Sequence, residues 1–562
     1  MKNPKNKYIP FSPVPLPQRE WPSRQLTAAP TWCSVDLRDG NQALAEPMKL
    51  AEKLEMFRVL CEIGIREIEV GFPAASQTEY EILRTLIIEG HIPDDVTVQV
   101  LVQARGHLIE KTFEALAGAK RAILHFYNST SALQRKVVFG KDRAGIRAIA
   151  VDAARLIREK GELLRSQGTA LQYEYSPESF MGTEPDFAVE ICAAVLDELG
   201  ATPENPVILN LPATVESSTP NLFADQVEYF CRNLPGRERA VISLHPHNDR
   251  GTAVATAELG LLAGAQRIEG TLFGNGERTG NVDIITLALN LYTQGIDPQL
   301  DLHDVNRLRE VYERTTKMQV APRHPYVGEL VYTAFSGSHQ DAINKGEHYR
   351  SMHGGEVWEV PYLPIDPADI GREYEPVIRI NSQSGKGGAA FIMETFGYRL
   401  PKPMHPEFGR AVKRYCDESG RELQAEEVLA LFRREYIEAE GLLQLTAYKF
   451  RETEAADGRD VVQFQGELHK NGSVFTLGAQ GNGPIDAFFN ALSAVGIKGY
   501  RFVDYSEHAV SVGSDAKAVS YIQLESPKGK KLFGVGVSHN INYASIRAIV
   551  SAMNRDAEIS VL

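Results

Sequence analysis

The stretch AVISLHPHNDRGTAVATAELGLLAGAQRIEGTL, residues 240–272, decides the fold. Ala240 to Leu244 is a short apolar run, Gly251 to Leu262 has helical spacing, and Arg267 to Leu272 returns to a β-rich run. Parallel neighbouring strands need a crossover connection, usually a helix. The stretch therefore predicts one β-α-β unit whose first strand leads directly into polar residues.

The same alternation extends upstream to Thr31. Eight β-rich runs are separated by seven helical connections, a rhythm that predicts a parallel (β/α)8 barrel of the α/β class. The predicted strands are Trp32 to Leu37, Glu67 to Val70, Val96 to Val102, Arg121 to Phe126, Leu171 to Tyr175, Val207 to Leu211, Ala240 to Leu244 and Arg267 to Leu272. The helical patterns between them include Met48 to Ile63, Thr78 to Glu89, Arg143 to Arg165 and Gly251 to Leu262.

Changes in this rhythm predict four segments. Residues 1–30 are rich in proline and predict an extended arm, residues 31–325 contain the barrel, and residues 326–437 predict helical linker subdomains. Residues 438–562 predict a C-terminal α+β domain of two β-β-β-α units, and such a duplicated module indicates effector binding. The elements predicted after the barrel are a helix around Ala425 to Glu438, strands Leu442 to Phe450, Val461 to Leu468 and Ser473 to Leu477, a helix Ile485 to Val495, strands Arg501 to Tyr505, Ala518 to Leu524 and Lys531 to Val537, and a helix Tyr543 to Met553.

Composition excludes several classes of protein. The 562 residues are 43% hydrophobic and 24% charged, as in soluble globular proteins, and the formal net charge of -13 argues against binding to nucleic acid or anionic lipid. Neither an apolar stretch near the length of a membrane span nor a secretory leader is recognisable. Five scattered cysteines without a Cys-x-x-Cys pair are typical of reduced thiols, and we expect a cytoplasmic protein.

Polar residues follow nearly every predicted strand. Because a barrel of this type has its active site at the carboxyl ends of the strands, these residues are candidates for function. They are Arg38 and Asp39 after strand 1, His125 at the end of strand 4, Glu178 after strand 5, Thr214 after strand 6, His245 to Asp249 after strand 7 and Gly274 to Asn281 after strand 8.

Four of these residues predict a divalent-metal site. His245 and His247 are two positions apart, so both imidazoles lie on the same side of the strand end. Asp39 follows strand 1 and Asn281 follows strand 8, and strands 7, 8 and 1 are consecutive around a closed barrel. Water or substrate can complete an octahedron. Imidazole ligands favour Mn²⁺ or Zn²⁺, whereas the oxygen ligands also suit Mg²⁺. A His-x-His pair or an Arg-Asp pair alone is usually incidental, and their joint occurrence on adjacent strands favours the metal.

The glycines after strand 8 do not form a dinucleotide-binding signature. Their spacing is Gly-x-Gly-x-x-x-Gly, and no new β-α-β unit follows. We interpret Gly274, Asn275 and Gly276 as part of a loop whose backbone approaches a bulky ligand.

The motifs together carry a family resemblance. The chain resembles the 2-isopropylmalate synthase branch of the Claisen-condensing, metal-dependent barrel enzymes, over nearly its whole length. The runs that carry the resemblance are Leu37 to Gln42, Glu174 to Ser179, His245 to Gly251, Gly274 to Asn281, Ser338 to Gly346, Ser382 to Gly388 and Gly481 to Ala487.

The resemblance implies a reaction and its participants. It implies condensation of acetyl-CoA with 2-oxoisovalerate to give 2-isopropylmalate and CoA, with a divalent cation and a monovalent activator such as K⁺, in a homodimer inhibited by leucine. The implied roles are Arg38 for alkoxide stabilisation, Glu178, His339 and Tyr362 for proton transfer, His125 and Thr214 for substrate binding, Gly274, Asn275 and Gly276 for acetyl-CoA, and Gly481, Gly483 and Gly536 for the effector.

Other interpretations stay open. A homocitrate or citramalate synthase would use another 2-oxo acid, distinguished by pocket residues near Phe72, Gln103 and His125. A carbon-carbon lyase on the same barrel would not need the duplicated tail. A catalytically silent, effector-binding paralogue is disfavoured because Arg38, Asp39 and both histidines are present. An alternative interpretation of the tail is a dimerisation module without a ligand, and an alternative interpretation of His125 is a buried histidine satisfied within the core.

Overall fold

The chain forms two compact units in this computed structural model. The model describes residues 7–333, 337–354, 356–374, 386–419, 423–439, 441–454, 460–470, 472–510 and 516–556. Unit 1 comprises Met1–Val331 and Ile365–Glu373, and unit 2 comprises Tyr332–Pro364 and Tyr374–Leu562. The first part of the run Ser382 to Gly388 lies outside the described residues. The fourfold division of the chain stays a proposal.

Unit 1 contains a closed barrel of parallel strands, which confirms the predicted fold class. Strand β1 pairs with both β2 and β8, so Cys33 lies opposite Glu67 on one side and Glu269 on the other. The strands are β1 Thr31–Ser34, β2 Glu67–Gly71, β3 Thr97–Gln103, β4 Arg121–Ser129, β5 Ala170–Glu178, β6 Val207–Ala213, β7 Ala240–Pro246 and β8 Arg267–Gly270.

Helices connect the barrel strands and follow the last one. Local sequence sets their ends: Asp142 caps α5 by accepting a hydrogen bond from Gly145, and Gly200 ends α6 in the left-handed region, with φ 68°. The helices are α1 Leu50–Glu62, α2 Gln77–Ile88, α3 Gly106–Leu116, α4 Ala132–Gln134, α5 Arg143–Ser166, α6 Pro185–Leu199, α7 Pro220–Asn233, α8 Ala253–Leu262, α9 Ile284–Tyr292 and α10 Val305–Thr316.

Several predicted strand ends were wrong, including those of strands 1, 4 and 8. Strand β1 stops at Ser34, because the hydroxyl of Ser34 and the amide of Leu272 both donate to the buried Asp36, which begins a π-helical turn, Asp36–Gly40. Strand β8 stops at Gly270 and is followed by a 3-10 turn. Strand β4 continues to Ser129, so His125 lies within the strand and not at its end.

The N-terminal arm is attached to α7. Arg19 makes two hydrogen bonds to Asp225, at 2.6 and 2.7 Å, and the indole of Trp21 donates to the same carboxylate at 2.9 Å. The backbone amide of Glu20 donates to Glu228 at 2.9 Å. Both α7 carboxylates are buried, and the arm supplies the donors that satisfy them.

Unit 2 contains helices followed by two antiparallel three-stranded sheets, each with one helix after it. This arrangement confirms the predicted tandem β-β-β-α module. The helices before the sheets are α11 Gly337–His353, α12 Lys386–Thr395, α13 His405–Ser419 and α14 Ala425–Phe432, the last continued by a π-helical turn, Arg433–Ile437. The sheets and their helices are β9 Leu443–Glu454, β10 Asp460–Lys470, β11 Ser473–Gly481 and α15 Pro484–Ala494, then β12 Arg501–Ala509, β13 Ala518–Glu525, β14 Lys531–Ser538 and α16 Ile541–Asn554.

A shared core joins the two parts of unit 2. Tyr521 of β13 and Phe533 of β14 pack in one buried cluster with Met393, Phe408 and Phe432 from the preceding helices. The helical subdomain and the second β-β-β-α unit therefore bury apolar surface against each other.

Candidate active site

The carboxyl ends of the barrel strands surround a cavity of about 1110 Å³. Side chains from many different strand ends line it, as the sequence predicted for a barrel enzyme. The predicted functional residues in its lining are Arg38, Asp39, His125, Glu178, Thr214, His245 and His247.

Arg38 and Asp39 lie in the π-helical turn after β1. The Arg38 guanidinium donates from Nη1 to Asp39 at 2.9 Å and from Nε to Glu69 of β2. Burial alone would raise the pKa of Asp39, but the Arg38 charge and a hydrogen bond from His245 outweigh burial and hold that pKa well below its ordinary value. Asp39 is therefore an ionised carboxylate that is only 5% exposed.

His245 at the end of β7 and His247 directly after it converge on Asp39. His245 Nε2 lies 3.2 Å and His247 Nε2 lies 3.8 Å from Asp39 Oδ2, and the two ring centroids are 5.1 Å apart. One ligand atom from each of these three buried residues lies within 4.8 Å of the others. Asn281 pairs with His247 in an isolated antiparallel bridge, which brings it beside the pair.

Unsatisfied polar atoms support a cation at this place. In the described part of the chain, the buried atoms His247 Nδ1 and Asn281 Oδ1 have no hydrogen-bond partner. Burial and the neighbouring His245 lower the pKa of His247 to about 3, so its imidazole is neutral, as a metal ligand must be. The donor set of one carboxylate, two imidazoles and one amide oxygen fits a divalent transition ion.

His245 is held between two carboxylates. Burial would lower its pKa, but hydrogen bonds to Asp39 and Glu269 outweigh burial and raise it to about 9. Because an ionised carboxylate only accepts hydrogen bonds, Nδ1 donates to Glu269 at 2.8 Å. The proton displaced by a cation is therefore the one on Nε2.

Glu178 and Thr214 lie on neighbouring strand ends. Ser129 at the end of β4 donates its hydroxyl hydrogen to Glu178 Oε2, and Thr214 Oγ1 accepts from the backbone amide of Ser179 at 2.9 Å. Ser179 has φ 61°, a left-handed conformation that this bond helps to hold. Ser129 was not predicted as a site residue, since it follows an apolar strand without a recognisable motif.

His125 has a partner for each ring nitrogen. Nδ1 donates to Glu69 at 2.8 Å, and Nε2 lies 2.7 Å from the hydroxyl of Ser176. A hydrogen bond from His125 to a substrate would have to replace the bond to Ser176. The predicted substrate-binding role of His125 stays a prediction.

A buried charged network below the cavity was missed from the sequence. Arg267 Nη1 donates to Glu269 at 3.0 Å, and Gln99 donates to Glu69 at 2.7 Å and to Glu269 at 2.8 Å. Burial raises the pKa of Glu174, the third carboxylate of this network, well above its ordinary value. Charged residues at alternate positions within short strands, such as Arg267 and Glu269 in β8, are the sequence signal that could have revealed it.

The loop after β8 is bound to the turn after β1. Asn275 Nδ2 donates to the Gly40 carbonyl at 3.0 Å, and Asn281 Nδ2 donates to the Asn275 carbonyl at 3.1 Å. A Cβ on Gly276 would lie 2.5 Å from Asn281 Nδ2, so this glycine is required by packing within the protein. The acetyl-CoA role of Gly274, Asn275 and Gly276 stays a prediction.

His339 and Tyr362 lie in unit 2 and contact each other. Their rings stack with centroids 4.1 Å apart, and Tyr362 is 62% exposed with φ 66°. Their proton-transfer role is not tested by this contact and stays a prediction.

Two of the three predicted effector glycines have a packing reason. A Cβ on Gly481 would lie 2.3 Å from the Ala487 amide nitrogen, and one on Gly536 would lie 1.9 Å from the Ala544 carbonyl oxygen. A Cβ on Gly483 would have no heavy atom of the described residues within 4 Å. Their effector role stays a prediction.

Fold and site define a barrel enzyme with a candidate divalent-metal centre. Residues 29–311 match the family model described as HMGL-like, residues 329–394 match the alpha-isopropylmalate synthase post-catalytic domain-like model, and residues 422–556 match the LeuA allosteric (dimerisation) domain. A 2-isopropylmalate synthase from Clostridium acetobutylicum is 54% identical over 552 residues, which cover 98% of this chain and 99% of the relative. The chain belongs to the 2-isopropylmalate synthase family, and it is an acyltransferase.

The chain is also similar to two other proteins. A 2-isopropylmalate synthase from Brucella suis is 54% identical, and the match covers 98% of each chain. Among solved structures, an HMG-CoA lyase from Brucella melitensis is 18% identical, with a TM-score of 0.40, and the match covers 52% of this chain and 100% of that chain.

Two further observations concern the thiols and the helices. All five cysteines are free thiols. Within the described residues, no helix combines the length and the apolar character needed to span a membrane.

Proposed function

We propose that the chain condenses acetyl-CoA with 2-oxoisovalerate and water to give 2-isopropylmalate and CoA. This reaction is the first committed step of leucine biosynthesis, and we assign leucine as its feedback inhibitor. The observation that carries the proposal is the 54% identity to 2-isopropylmalate synthase over 98% of this chain. The cavity of about 1110 Å³ provides the room that two substrates need.

We assign the metal site to Asp39, His245, His247 and Asn281. These residues would hold a divalent cation, which would supply Lewis-acid chemistry for the keto carbonyl. Mn²⁺ or Zn²⁺ suits the imidazoles and Mg²⁺ the oxygen donors, and K⁺ is proposed as a monovalent activator.

Glu178 is the proposed base that takes a proton from the acetyl methyl group. Ser129 donates a hydrogen bond to its Oε2 and so fixes the carboxylate. The methyl carbon, left with the electron pair of the broken C–H bond, adds to the keto carbon. The π electrons of the carbonyl move to the keto oxygen, which then takes up a proton. Water then hydrolyses the thioester and releases CoA.

Arg38 is proposed to stabilise the negative charge that gathers on the former keto oxygen. Its guanidinium is fixed by Glu69 and Asp39, so the cationic group does not have to reorganise when this charge develops. Thr214 and His125 are the proposed contacts to the oxo acid, and the loop of Gly274, Asn275 and Gly276 is the proposed contact to acetyl-CoA.

His339 and Tyr362 are proposed as further proton-transfer groups, supplied by the partner subunit of a homodimer. Their exposed, stacked rings support this role. The match of residues 422–556 to the LeuA allosteric (dimerisation) domain supports both the dimer and a leucine site near Gly481, Gly483 and Gly536. Five free thiols support a cytoplasmic location.

Two measurements test the reaction. Release of CoA is compared with 2-oxoisovalerate, pyruvate and 2-oxoglutarate, and we expect the highest kcat/KM with 2-oxoisovalerate. A preference for pyruvate or 2-oxoglutarate would identify a citramalate or homocitrate synthase instead. Protein freed of divalent ions should be inactive and should recover with Mn²⁺, whereas full activity without divalent ions would refute the metal site.

A further inference from the structure

His245 at the end of β7 and His247 just beyond it differ in their hydrogen-bond partners. His245 Nδ1 donates to Glu269 Oε2 of β8 at 2.8 Å, whereas the buried His247 Nδ1 has no hydrogen-bond partner among the described residues. His245 is therefore fixed in ring orientation before any ligand binds. His247 has no comparable support from a second side chain.

Both carboxylate oxygens of Glu269 accept hydrogen bonds from neighbouring side chains. Its Oε2 accepts from Asn210 at 2.9 Å in addition to His245, and its Oε1 accepts from Gln99 at 2.8 Å and from Arg267 at 3.0 Å. The side chain is fully buried. The carboxylate cannot rotate without breaking several charge-assisted hydrogen bonds at once.

We propose that Glu269 is the positioning residue that keeps a hydrogen on His245 Nδ1 and so directs Nε2 toward the cation site at the barrel mouth. This inference rests on the proposed metal site. A carboxylate that accepts from the outer nitrogen of a metal-binding histidine fixes its tautomer and makes the inner nitrogen a better ligand. Glu269 acts through His245 and does not line the cavity.

Glu174 provides a matched control in the same network. It is as fully buried as Glu269, and in the described structure neither of its carboxylate oxygens has a hydrogen-bond partner. Its ionic contacts are His125 Nδ1 and Arg267 Nη2, each at 3.4 Å. A substitution of Glu174 therefore changes a buried carboxyl group of the same network without removing a bond to His245.

In the experiment, the full-length, metal-free protein is titrated with Mn²⁺, and calorimetry measures the Mn²⁺ affinity. We expect Glu269→Gln to weaken Mn²⁺ binding about 10- to 100-fold. Glu174→Gln should leave Mn²⁺ affinity unchanged. If Glu269→Gln does not fold, Glu269→Asp takes its place, because it keeps the charge beside Arg267 but withdraws the carboxylate from His245.

A double-mutant cycle separates positioning from a general structural effect. If Glu269 acts through His245, then Glu269→Gln adds no further loss of Mn²⁺ affinity in a His245→Gln background. Unchanged affinity in Glu269→Gln, an equal loss in Glu174→Gln, or additive losses in the double variant would each overturn the proposal. Failure of the unaltered protein to bind Mn²⁺ would instead refute the metal site.

Discussion

Replacing Arg38 by alanine tests the proposed chemistry at one side chain. The guanidinium is the cation that the structure fixes beside Asp39 at 2.9 Å, and it also contacts Glu69. Glu69 retains hydrogen bonds from His125 and Gln99 when Arg38 is removed, so we expect Arg38→Ala to fold. Asp39 retains its contact with His245, so the metal ligands stay in place.

We expect Arg38→Ala to lower kcat. Loss of one fixed donor to a developing oxyanion lowers kcat by about 10² to 10³, or roughly 2.7 to 4 kcal/mol. Arg38 is proposed to strengthen its interaction as charge develops, so KM for the oxo acid should change much less than kcat. Arg38→Lys should recover only part of the loss, because an ammonium group lacks the planar fork that holds Glu69 and Asp39 together.

The assay is thiol-coupled detection of CoA with both substrates varied. Arg143→Ala is the control, since Arg143 is also paired with a carboxylate, Asp186, but lies outside the cavity lining. Calorimetric titration with Mn²⁺ should give the same affinity for Arg38→Ala as for the unaltered protein. An unchanged kcat, or a loss confined to KM, would refute the charge-stabilising role.

Three further predictions use other contacts. Glu178→Gln should lower kcat about 10² to 10⁴ while CoA binding persists, and Ser129→Ala should lower kcat less; equal losses in a steady-state assay would contradict this order. Gly536→Ala should lower the melting temperature because its Cβ meets the α16 backbone, whereas Gly483→Ala should leave the melting temperature unchanged. A change in leucine inhibition caused by Gly483→Ala would then indicate a ligand contact at this glycine. Normal inhibition of Gly483→Ala would argue against such a contact. Lys53→Met should lower the free energy of unfolding, measured in urea, by about 3 kcal/mol. The substitution removes the ammonium group that donates hydrogen bonds to Glu79 and to the Leu37 carbonyl. The double variant Lys53→Met with Glu79→Leu should regain most of that loss, and a single variant as stable as the unaltered protein would refute the role of this pair.

The barrel was predictable because its signal is local. Alternation of short β-rich and longer helical runs marked every strand, and the two-residue spacing of His245 and His247 placed both rings on one side. The convergence of Asp39 with these histidines followed from barrel closure between β1 and β8, which the structure confirms.

Other parts depended on long-range contacts that periodicity does not carry. The end of β1 was wrong because Asp36 bonds to Leu272, which is 236 positions away. The interior network was missed because Glu69 and Glu174 are paired by side chains of other strands, Gln99 and Arg267, whereas charged residues usually indicate solvent exposure. The sequence around His339 and Tyr362 contains no local pattern that predicts the stacking of their rings.

The attachment of the arm to α7 has a consequence for the order of events during synthesis. Arg19 leaves the ribosome early, but Asp225 is 206 positions later in the chain. At a synthesis rate of about 5 to 20 residues per second, Asp225 is made roughly 10 to 40 s after Arg19. Strand β1 has to wait still longer for β8. Until then β1 is an unpaired edge of the nascent barrel.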